Sequence, residues 1–420
     1  MERIKATYWI ETAYNVKEAA AALAGEQSSG TFLRIPGESQ ELRERYLAKI
    51  DQIEMFGETK SPSLPGASIP SHHDGAIYKK AKIEVSWPLE NIGYNLPNLM
   101  ATVAGNLFEL KHFSGLRLSD IEVPKTFYSK YPGPQFGIQG TQKLVGVKNR
   151  PVIGTIIKPS VGLSPDQTAA QVKELCMAGL DFFKDDELMG DPPHSPFEQR
   201  VEKVMNVINS HAQKTGKKPM YAFNLSGDLD DMLRRHDHVL KQGGTCIMVS
   251  LNWIGISALA KLRNHSRLPI HGHRNGWGLF SRSPHIGIDF KVFQKIWRMA
   301  GADQLHTNGL RNKFCEPDAS VLASIRACQQ SENGKKVMPV VSSGQWAGQT
   351  VDTYNAIGNA DMMYLCGGGI MGHPLGTKAG VKSIQQGWEA ALAGVSLVDY
   401  AKEHQELAEA LDFFVKHTRK

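Results

Sequence analysis

From Pro151 onward, the chain alternates short apolar segments with amphipathic segments eight times. Eight strand–helix units over roughly 250 residues are typical of a (β/α)₈ barrel, whereas a doubly wound sheet needs fewer strands and no closure. The sequence therefore predicts an α/β fold with a C-terminal (β/α)₈ TIM barrel and terminal helices over residues 141–420. Its predicted strands are Val152–Ile157, Leu180–Lys184, Met220–Asn224, Cys246–Leu251, Pro269–His273, Gln304–Thr307, Met338–Ser342 and Met362–Cys366.

Residues 1–140 show a different pattern, which predicts a smaller, ferredoxin-like α+β domain. We expect strands at Lys5–Glu11, Ala81–Trp87 and Leu116–Val123, and helices at Val16–Ala24 and Leu96–Phe108. The segment Met55–Gly75 is rich in Ser, Pro, Gly and His, which favours a mobile or ligand-covering loop.

Composition excludes several classes of protein. The formal charge of +6 is small for 420 residues and includes no run of five basic residues, so we expect no nucleic-acid partner. The five cysteines form no CxxC pair, which indicates reduced thiols and a cytoplasmic protein. No apolar stretch approaches the length of a membrane span, so we expect no membrane partner.

The apolar run Gly179–Phe183 ends in Lys184, Asp185, Asp186 and Glu187. Charged groups at the end of a buried strand are costly unless they are paired or bind an ion. Side chains alternate along a strand, so Lys184 and Asp186 are expected on one face, with Glu187 within reach. Carboxylate oxygens suit Mg²⁺, and carbamylation by CO₂ would convert the lysine into an oxygen ligand. A neutralised charge cluster is the alternative interpretation.

The other strand ends are also polar or glycine-rich, and catalytic residues of barrel enzymes lie there. His273 and His306 could move protons near pH 7, and Arg274 could hold a phosphate or carboxylate. The loops after strands seven and eight predict phosphate binding, although their glycines could simply make tight turns. The strand-end residues are Lys158, His273, Arg274, His306, Ser342, Ser343, Gly344, Gly367 and Gly368, with Lys313 on a following loop.

Four motifs together resemble the ribulose bisphosphate carboxylase (RuBisCO) large-chain superfamily. They are Lys158-Pro159, the run from Gly179 to Glu187, the run from His271 to Arg274, and the run from Gly367 to Pro374. The likeness extends to the segment from Glu26 to Phe32 and to Gly105-Asn106. Ser160 departs from the carboxylases, which have a second lysine there. The chain therefore resembles a RuBisCO-like protein of the non-photosynthetic form IV branch, not a photosynthetic carboxylase.

The resemblance implies a role for each matching position. Carbamylated Lys184 would bind one Mg²⁺ per site with Asp186 and Glu187 and act as the enolising base, and Lys158 would move protons at the enediolate. Lys313 would orient CO₂ or a carboxylate, with Glu26 as its partner across a homodimer with shared active sites. Asn106 would contact a substrate oxygen. The phosphate-end residues would be Arg274, His306 and Ser342 at one end, and Thr31, Ser343, Gly344, Gly367 and Gly368 at the other.

The resemblance also implies carboxyl-group chemistry on a phosphorylated 3-oxo sugar acid, since Lys313, Glu26 and Asn106 are kept. Decarboxylation of 3-oxo-isoapionate 4-phosphate is the preferred reaction. Carboxyl transfer with hydrolysis on the same substrate, and enolisation or isomerisation of a methylthio-ribulose-type sugar phosphate, are the alternatives. A nicotinamide dehydrogenase and a non-catalytic binding protein are rival classes that nicotinamide binding and activity assays would distinguish.

Overall fold

The computed structural model describes residues 1–29, 37–70, 75–330 and 334–417. The chain divides into two compact units, one of Met1–Tyr131 with Gly276–Ile296 and one of Pro132–Asn275 with Trp297–Lys420. The sequence predicts a single boundary after residue 140, whereas residues 276–296 also belong to the first unit. Within the described ranges, no helix is long and apolar enough to cross a membrane.

The first unit contains a five-stranded sheet. Four strands lie in the spatial order fourth, first, third, second and pair antiparallel, which is the ferredoxin-like arrangement that the sequence predicted. A fifth strand from the distant segment 286–288 pairs parallel with the fourth. Across the sheet, the strands are Ile286–Ile288, Gly115–Glu122, Arg3–Thr12, Tyr78–Pro88 and Lys49–Thr59.

Helices belong to the same unit as this sheet, and one of them is hydrogen-bonded to the first strand. The hydroxyl of buried Tyr8 donates a 2.7 Å hydrogen bond to the carbonyl of Val103, at the end of a helix. The helices are Val16–Glu26, Gln40–Tyr46, Leu89–Ile92, Leu96–Ala104, Lys125–Tyr128 and Gly278–Ser281, with a 3₁₀ turn at Asn106–Glu109. The predicted start of the loop at Met55 was wrong, because the edge strand continues to Thr59.

The second unit is built on a closed, parallel eight-stranded barrel. Closure is made where Met363 of the last strand pairs with Val152 of the first. Every strand lies within two residues of its predicted bounds. In chain order, barrel strands 1 to 8 are Val152–Ile156, Phe182–Lys184, Met220–Asn224, Cys246–Ser250, Ile270–His273, Gln304–His306, Met338–Val341 and Met363–Leu365.

Helices follow the barrel strands and complete the unit. The helix after barrel strand 1 begins at a capping box, in which Ser164 and Gln167 bond each other's backbone amides and Pro165 occupies the first turn. A helix at Gly137–Val145 precedes barrel strand 1, and the helix Phe290–Ala300 begins in the first unit and ends in the second. The other helices are Pro165–Met177, Phe197–Thr215, Leu229–Lys241, Leu251–His265, Asp318–Gln329, Thr350–Ile357, Gly368–Met371, Thr377–Ala393, Leu397–Ala401 and Gln405–His417, with a 3₁₀ turn at Ala347–Gln349.

The barrel interior is closely packed. Gly154 lies where strands 1, 2 and 8 converge, and a β-carbon there would lie 2.7 Å from the side chain of Leu365 and 2.9 Å from that of Phe182. Apolar side chains from most of the strands, with Ile138 and Val145 from the preceding helix, form one buried cluster. This core fixes the positions of the strand ends, where the polar residues lie.

Candidate active site

Lys184 is the last residue of barrel strand 2 and is almost fully buried, with 1% of its surface exposed. Its ammonium donates a 2.9 Å hydrogen bond to the Asp185 carbonyl and lies 3.9 Å from the Glu187 carboxylate. Burial lowers the pKa of Lys184, opposed by the charges of Glu187, Asp186 and Asp185. A lowered pKa increases the fraction of neutral amine, the form that can react with CO₂.

Lys158 follows barrel strand 1 and contacts the same cluster. Its ammonium lies 2.7 Å from Asp186 Oδ2 and donates a 2.6 Å hydrogen bond to the Ser160 hydroxyl. Burial raises the pKa of Asp186, but the Lys158 hydrogen bond and the Lys184 charge outweigh it, so the net shift is downward. Ser160, where the carboxylases have a second lysine, therefore acts here as a hydrogen-bond acceptor for Lys158.

Asp185 is held by residues of barrel strand 3. The Tyr221 hydroxyl donates to one carboxylate oxygen at 2.7 Å, and the Asn224 backbone amide donates to the other at 3.0 Å. The Asn224 side-chain amide also donates to the backbone carbonyl of Glu187 at 3.1 Å. Strand 3 thus orients the backbone that presents Asp186 and Glu187.

His273 ends barrel strand 5 beside Glu187, with 3.4 Å between its Nε2 and Glu187 Oε2. The backbone amide of Asn275 donates to His273 Nδ1 at 3.3 Å, so the ring proton of the neutral imidazole lies on Nε2 and faces the carboxylate. Burial lowers the pKa of His273 to about 3, with a further contribution from the charge of Lys184. The imidazole is therefore neutral at working pH.

The donor set here fits a hard divalent cation. Asp186 and Glu187 supply carboxylate oxygens, the first beside Lys158 and the second near Lys184, and oxygen ligands are those that Mg²⁺ prefers. The ammonium of Lys184 opposes a cation, so the lysine must lose its charge before the site can bind one. The same contacts also describe the neutralised cluster that the sequence left as an alternative.

A buried chain of hydrogen bonds links strands 5, 6 and 7. His271 Nδ1 lies 2.8 Å from Gln304 Oε1, and His271 Nε2 lies 2.8 Å from His306 Nε2. His306 Nδ1 in turn lies 3.1 Å from the Ser342 hydroxyl. With the Gln304 carbonyl as acceptor, His271 accepts from His306, and His306 accepts from Ser342. Burial keeps the pKa of both histidines well below the usual value.

The guanidinium of Arg274 is largely buried and forms an ion pair with Glu316. It lies 2.5 Å from Glu316 Oε2, and the Asn308 amide donates to the same oxygen at 2.7 Å. The Ser343 hydroxyl donates to Asn308 Oδ1 at 2.7 Å. Glu316 therefore joins the predicted phosphate-binding residues Arg274 and Ser343 through Asn308.

Two residues of this network have left-handed backbone conformations, Asn308 with φ 60° and Ser343 with φ 73°, and Gly344 follows with φ 91°. Such conformations are strained for residues with a β-carbon and cluster at functional sites. The backbone amide of Lys313 donates to the Ser343 carbonyl at 3.1 Å, which fixes the lysine-bearing loop beside strand 7. The Lys313 side chain itself is exposed.

The loop after strand 8 has accessible backbone. A β-carbon on Gly368 would meet nothing within 4 Å, and one on Gly367 would meet only Ile156, at 3.8 Å. This is the steric openness that the predicted phosphate contact requires.

Three predicted residues lie elsewhere. Glu26 and Asn106 belong to the first unit and are exposed. They come from adjoining element ends, since a β-carbon at Gly105 would lie 3.3 Å from the Gln27 side chain. Thr31 lies outside the described residues.

Sequence reasoning did not assign roles to several residues of the site. His271 could have been found, because it lies two residues before His273 and therefore on the same face of the strand. Asn308 could have been found in the same way, since it lies two residues after His306, whereas the partners of Glu316 and Gln304 come from other segments.

The fold and the position of this site define a class, the TIM-barrel proteins that carry a polar cluster at the carboxyl ends of the strands. The chain belongs to the RuBisCO large-chain family. The family's N-terminal domain matches residues 3–127 and its catalytic domain matches residues 137–414.

Relatives within the family are similar over nearly the whole chain. The 3-oxo-isoapionate-4-phosphate transcarboxylase/hydrolase of Xanthobacter autotrophicus is 50% identical over 416 residues, which cover 98% of this chain and 99% of the relative. The 3-oxo-isoapionate-4-phosphate decarboxylase of Rhizobium rhizogenes is 44% identical over 415 residues, 98% of each chain. The crystal structure of a rubisco-like protein from Burkholderia fungorum has a TM-score of 0.92 and 42% identity, covering 99% of this chain and 100% of that one.

Proposed function

We propose that this protein is a Mg²⁺-dependent enzyme that acts on the carboxyl group of 3-oxo-isoapionate 4-phosphate. The observation that carries the proposal is the cluster of Lys158, Lys184, Asp186 and Glu187 at adjoining strand ends. The named activities of the 50% and 44% identical relatives support the choice of substrate.

Carbamylation of Lys184 is the first requirement of this proposal. The neutral amine would attack the carbon of CO₂, forming an N–C bond while a π pair moves to oxygen and a proton leaves the nitrogen. Burial of Lys184 favours the neutral amine. The carbamate, Asp186 and Glu187 would hold one Mg²⁺, which when bound supplies positive charge that stabilises negative charge developing on the substrate.

The substrate is a β-oxo acid, so cleavage of its carboxyl C–C bond leaves the electron pair in an enediolate and releases CO₂. In decarboxylation, Lys158 would deliver a proton to the carbon that lost the carboxyl group. In transfer, the neighbouring carbon of the enediolate would form a new bond to the same CO₂. Water would then add to the adjacent ketone and cleave the C–C bond, giving phosphoglycerate and glycolate after Lys158 protonates the carbanion.

We favour carboxyl transfer with hydrolysis, because the relative with that named activity shares 50% identity and Lys313 is available to hold CO₂ for recapture. The backbone hydrogen bond from Lys313 to Ser343, which fixes this loop beside strand 7, supports this role. Net decarboxylation, which the sequence analysis preferred, is the second candidate and is supported by relatives at 44% identity.

The phosphate of the substrate would bind at strands 5 to 7, through Arg274, His306 and Ser342. Ser343, Gly344, Gly367 and Gly368 would line the remaining polar end of the ligand. Lys158 and His273 would act on the reacting carbons and oxygens between them. The Ser342 hydroxyl donates to His306 Nδ1 in the buried chain, so it would have to turn from that nitrogen to donate to the phosphate.

We also propose that a homodimer shares its active sites, with Glu26 and Asn106 acting in the partner's site. Their exposure on the first unit supports this. Mixing inactive Lys184→Ala with inactive Asn106→Ala protein under subunit exchange should restore about a quarter of native activity, since one site in each hybrid is intact. Absence of any restoration in demonstrated hybrids would contradict shared sites.

The primary test is consumption of 3-oxo-isoapionate 4-phosphate with and without Mg²⁺ and bicarbonate, for the native protein and for Lys184→Ala. We expect turnover that needs both additives and falls by about a thousandfold or more in the variant, because the ligand set is lost. Lys217→Ala is a matched control, since that half-buried lysine pairs with Asp181 outside the cluster. Full activity of Lys184→Ala would contradict the proposal, and no turnover by the native protein would redirect the assay to methylthio-ribulose phosphates.

A further inference from the structure

Two histidines and an aspartate converge away from the strand ends. His236 and Asp237 lie on the helix Leu229–Lys241, and His265 is the last residue of the helix Leu251–His265. Asp237 Oδ1 lies 2.9 Å from His236 Nδ1 and 2.6 Å from His265 Nε2. One ligand atom from each residue thus falls within 4.8 Å of the other two.

We propose that His236, Asp237 and His265 form a binding site for a divalent transition-metal cation of the zinc type, which joins the two helices. Two imidazole nitrogens and one carboxylate oxygen are a ligand set that Zn²⁺ accepts, leaving a fourth position open. Two ligands at tetrahedral positions around Zn²⁺ are about 3.3 Å apart, given bonds of about 2.0 Å. The two contacts with Asp237 therefore need to open by less than about 1 Å each, and the two histidine nitrogens, within 4.8 Å of each other, need to lie about 3.3 Å apart.

The surroundings favour a cation. The imidazole of His236 is buried and fixed, whereas Asp237 and His265 are exposed, so the open coordination position faces solvent. The nearby guanidinium of Arg263 is neutralised by Asp303 at 2.7 Å. An approaching cation therefore meets one carboxylate and no uncompensated positive charge from that arginine.

Binding has one local cost. The backbone amide of Arg267 donates to His236 Nε2 at 3.4 Å, which places the ring proton on Nδ1. Coordination through Nδ1 requires that proton to move to Nε2 and the long contact with Arg267 to open. We therefore expect weaker binding than at a structural site with four protein ligands.

This site is separate from the candidate active site in position and in chemistry. Helices of the barrel run antiparallel to its strands, so the C-terminal halves of these two helices lie toward the face opposite the strand ends. The ligands here are nitrogen-rich, whereas Asp186 and Glu187 offer only oxygen. The inference does not depend on the proposed reaction.

The test is equilibrium dialysis of the full-length protein against ZnCl₂ in excess Mg²⁺, with metal analysis of the protein. We expect one Zn²⁺ per chain, with affinity falling about tenfold or more in His265→Ala and in Asp237→Asn. His238→Ala is the matched control, because His238 lies on the same helix but faces Glu202 at 3.7 Å. Equal binding by native protein and His265→Ala, or no stoichiometric binding, would overturn the proposal.

Thermal unfolding gives a second measurement that does not depend on the count of bound metal. Zn²⁺ should raise the Tm of the native protein and of His238→Ala, since a ligand that binds the folded state stabilises it. It should leave the Tm of His265→Gln unchanged, and His265→Gln should match the native Tm without metal because residue 265 is exposed. A Zn²⁺-induced shift of the same size in His265→Gln would contradict the site.

Discussion

The ammonium of Lys158 lies 2.7 Å from the carboxylate of Asp186, one of the two carboxylates that the proposed Mg²⁺ site requires. A cation at that carboxylate and the ammonium of Lys158 would repel each other. Metal binding should therefore weaken the Lys158–Asp186 pair and release Lys158 toward the substrate. The Ser160 hydroxyl, 2.6 Å from the same ammonium, remains as its second partner.

Ser160→Ala should lower kcat by about fivefold, because one hydrogen bond of about 1 kcal/mol that positions Lys158 is lost. Ser160→Thr keeps the hydroxyl and should retain more activity. Steady-state kinetics of both variants checks this. The interpretation fails if Ser160→Ala is as inactive as Lys158→Met, or if Ser160→Thr shows the same loss as Ser160→Ala.

Glu316→Gln should destabilise the protein by about 3 kcal/mol, because it removes the carboxylate from a largely buried pair with Arg274. Asp352→Asn is the matched control. Its pair with Arg311, 2.7 Å apart, is about half exposed, so its loss should cost less than about 1 kcal/mol. Urea unfolding of the two variants makes the comparison, and equal costs would contradict the buried role of Glu316.

The barrel was predictable because its signal is local. Short apolar segments alternate with amphipathic helices along the chain, and polar residues directly follow the strands. The edge strand Lys49–Thr59 gave no such signal, since most of its side chains are exposed on both faces. The strand at residues 286–288 pairs with one more than 160 residues earlier, which no local pattern reveals.

The residues of the candidate site likewise divide into those that a local sequence pattern predicts and those that it does not. Lys184, Asp186 and Glu187 are adjacent in sequence, so their convergence follows from strand geometry. Glu316 was missed because its contact with Arg274 joins different strand–helix units. The cluster of His236, Asp237 and His265 likewise depends on how two helices pack, which no local pattern shows.

Stability should fall as the pH drops below about 6.5. The folded-state pKa values of His271, His273 and His306 are lowered by burial, that of His273 to about 3. The unfolded chain, whose histidines titrate near 6.5, therefore binds more protons in this range, and the free energy of unfolding rises with pH up to that value. Each such histidine contributes a slope of up to about 1.4 kcal/mol per pH unit.

Urea unfolding at pH 7.0 and pH 5.5 measures this dependence. His271→Asn, which removes one buried imidazole, should lower the pH dependence by about one histidine's share. His194→Asn serves as the control, because that histidine is exposed. A free energy of unfolding that is unchanged or larger at pH 5.5 would contradict the neutral, buried state of the three histidines.

The central claim, carboxyl chemistry at the Lys184 cluster, is tested most directly with 3-oxo-isoapionate 4-phosphate labelled with ¹³C in its carboxyl group. In a closed reaction with Mg²⁺ and unlabelled bicarbonate, the account predicts that ¹³C NMR finds the label in the carboxyl group of phosphoglycerate, with unlabelled glycolate. Release of the label as CO₂ would still support carboxyl chemistry at this cluster and would identify the reaction as decarboxylation. Substrate that is consumed with its labelled carboxyl group still on the original carbon, or label movement that persists in Lys184→Ala, would contradict the account.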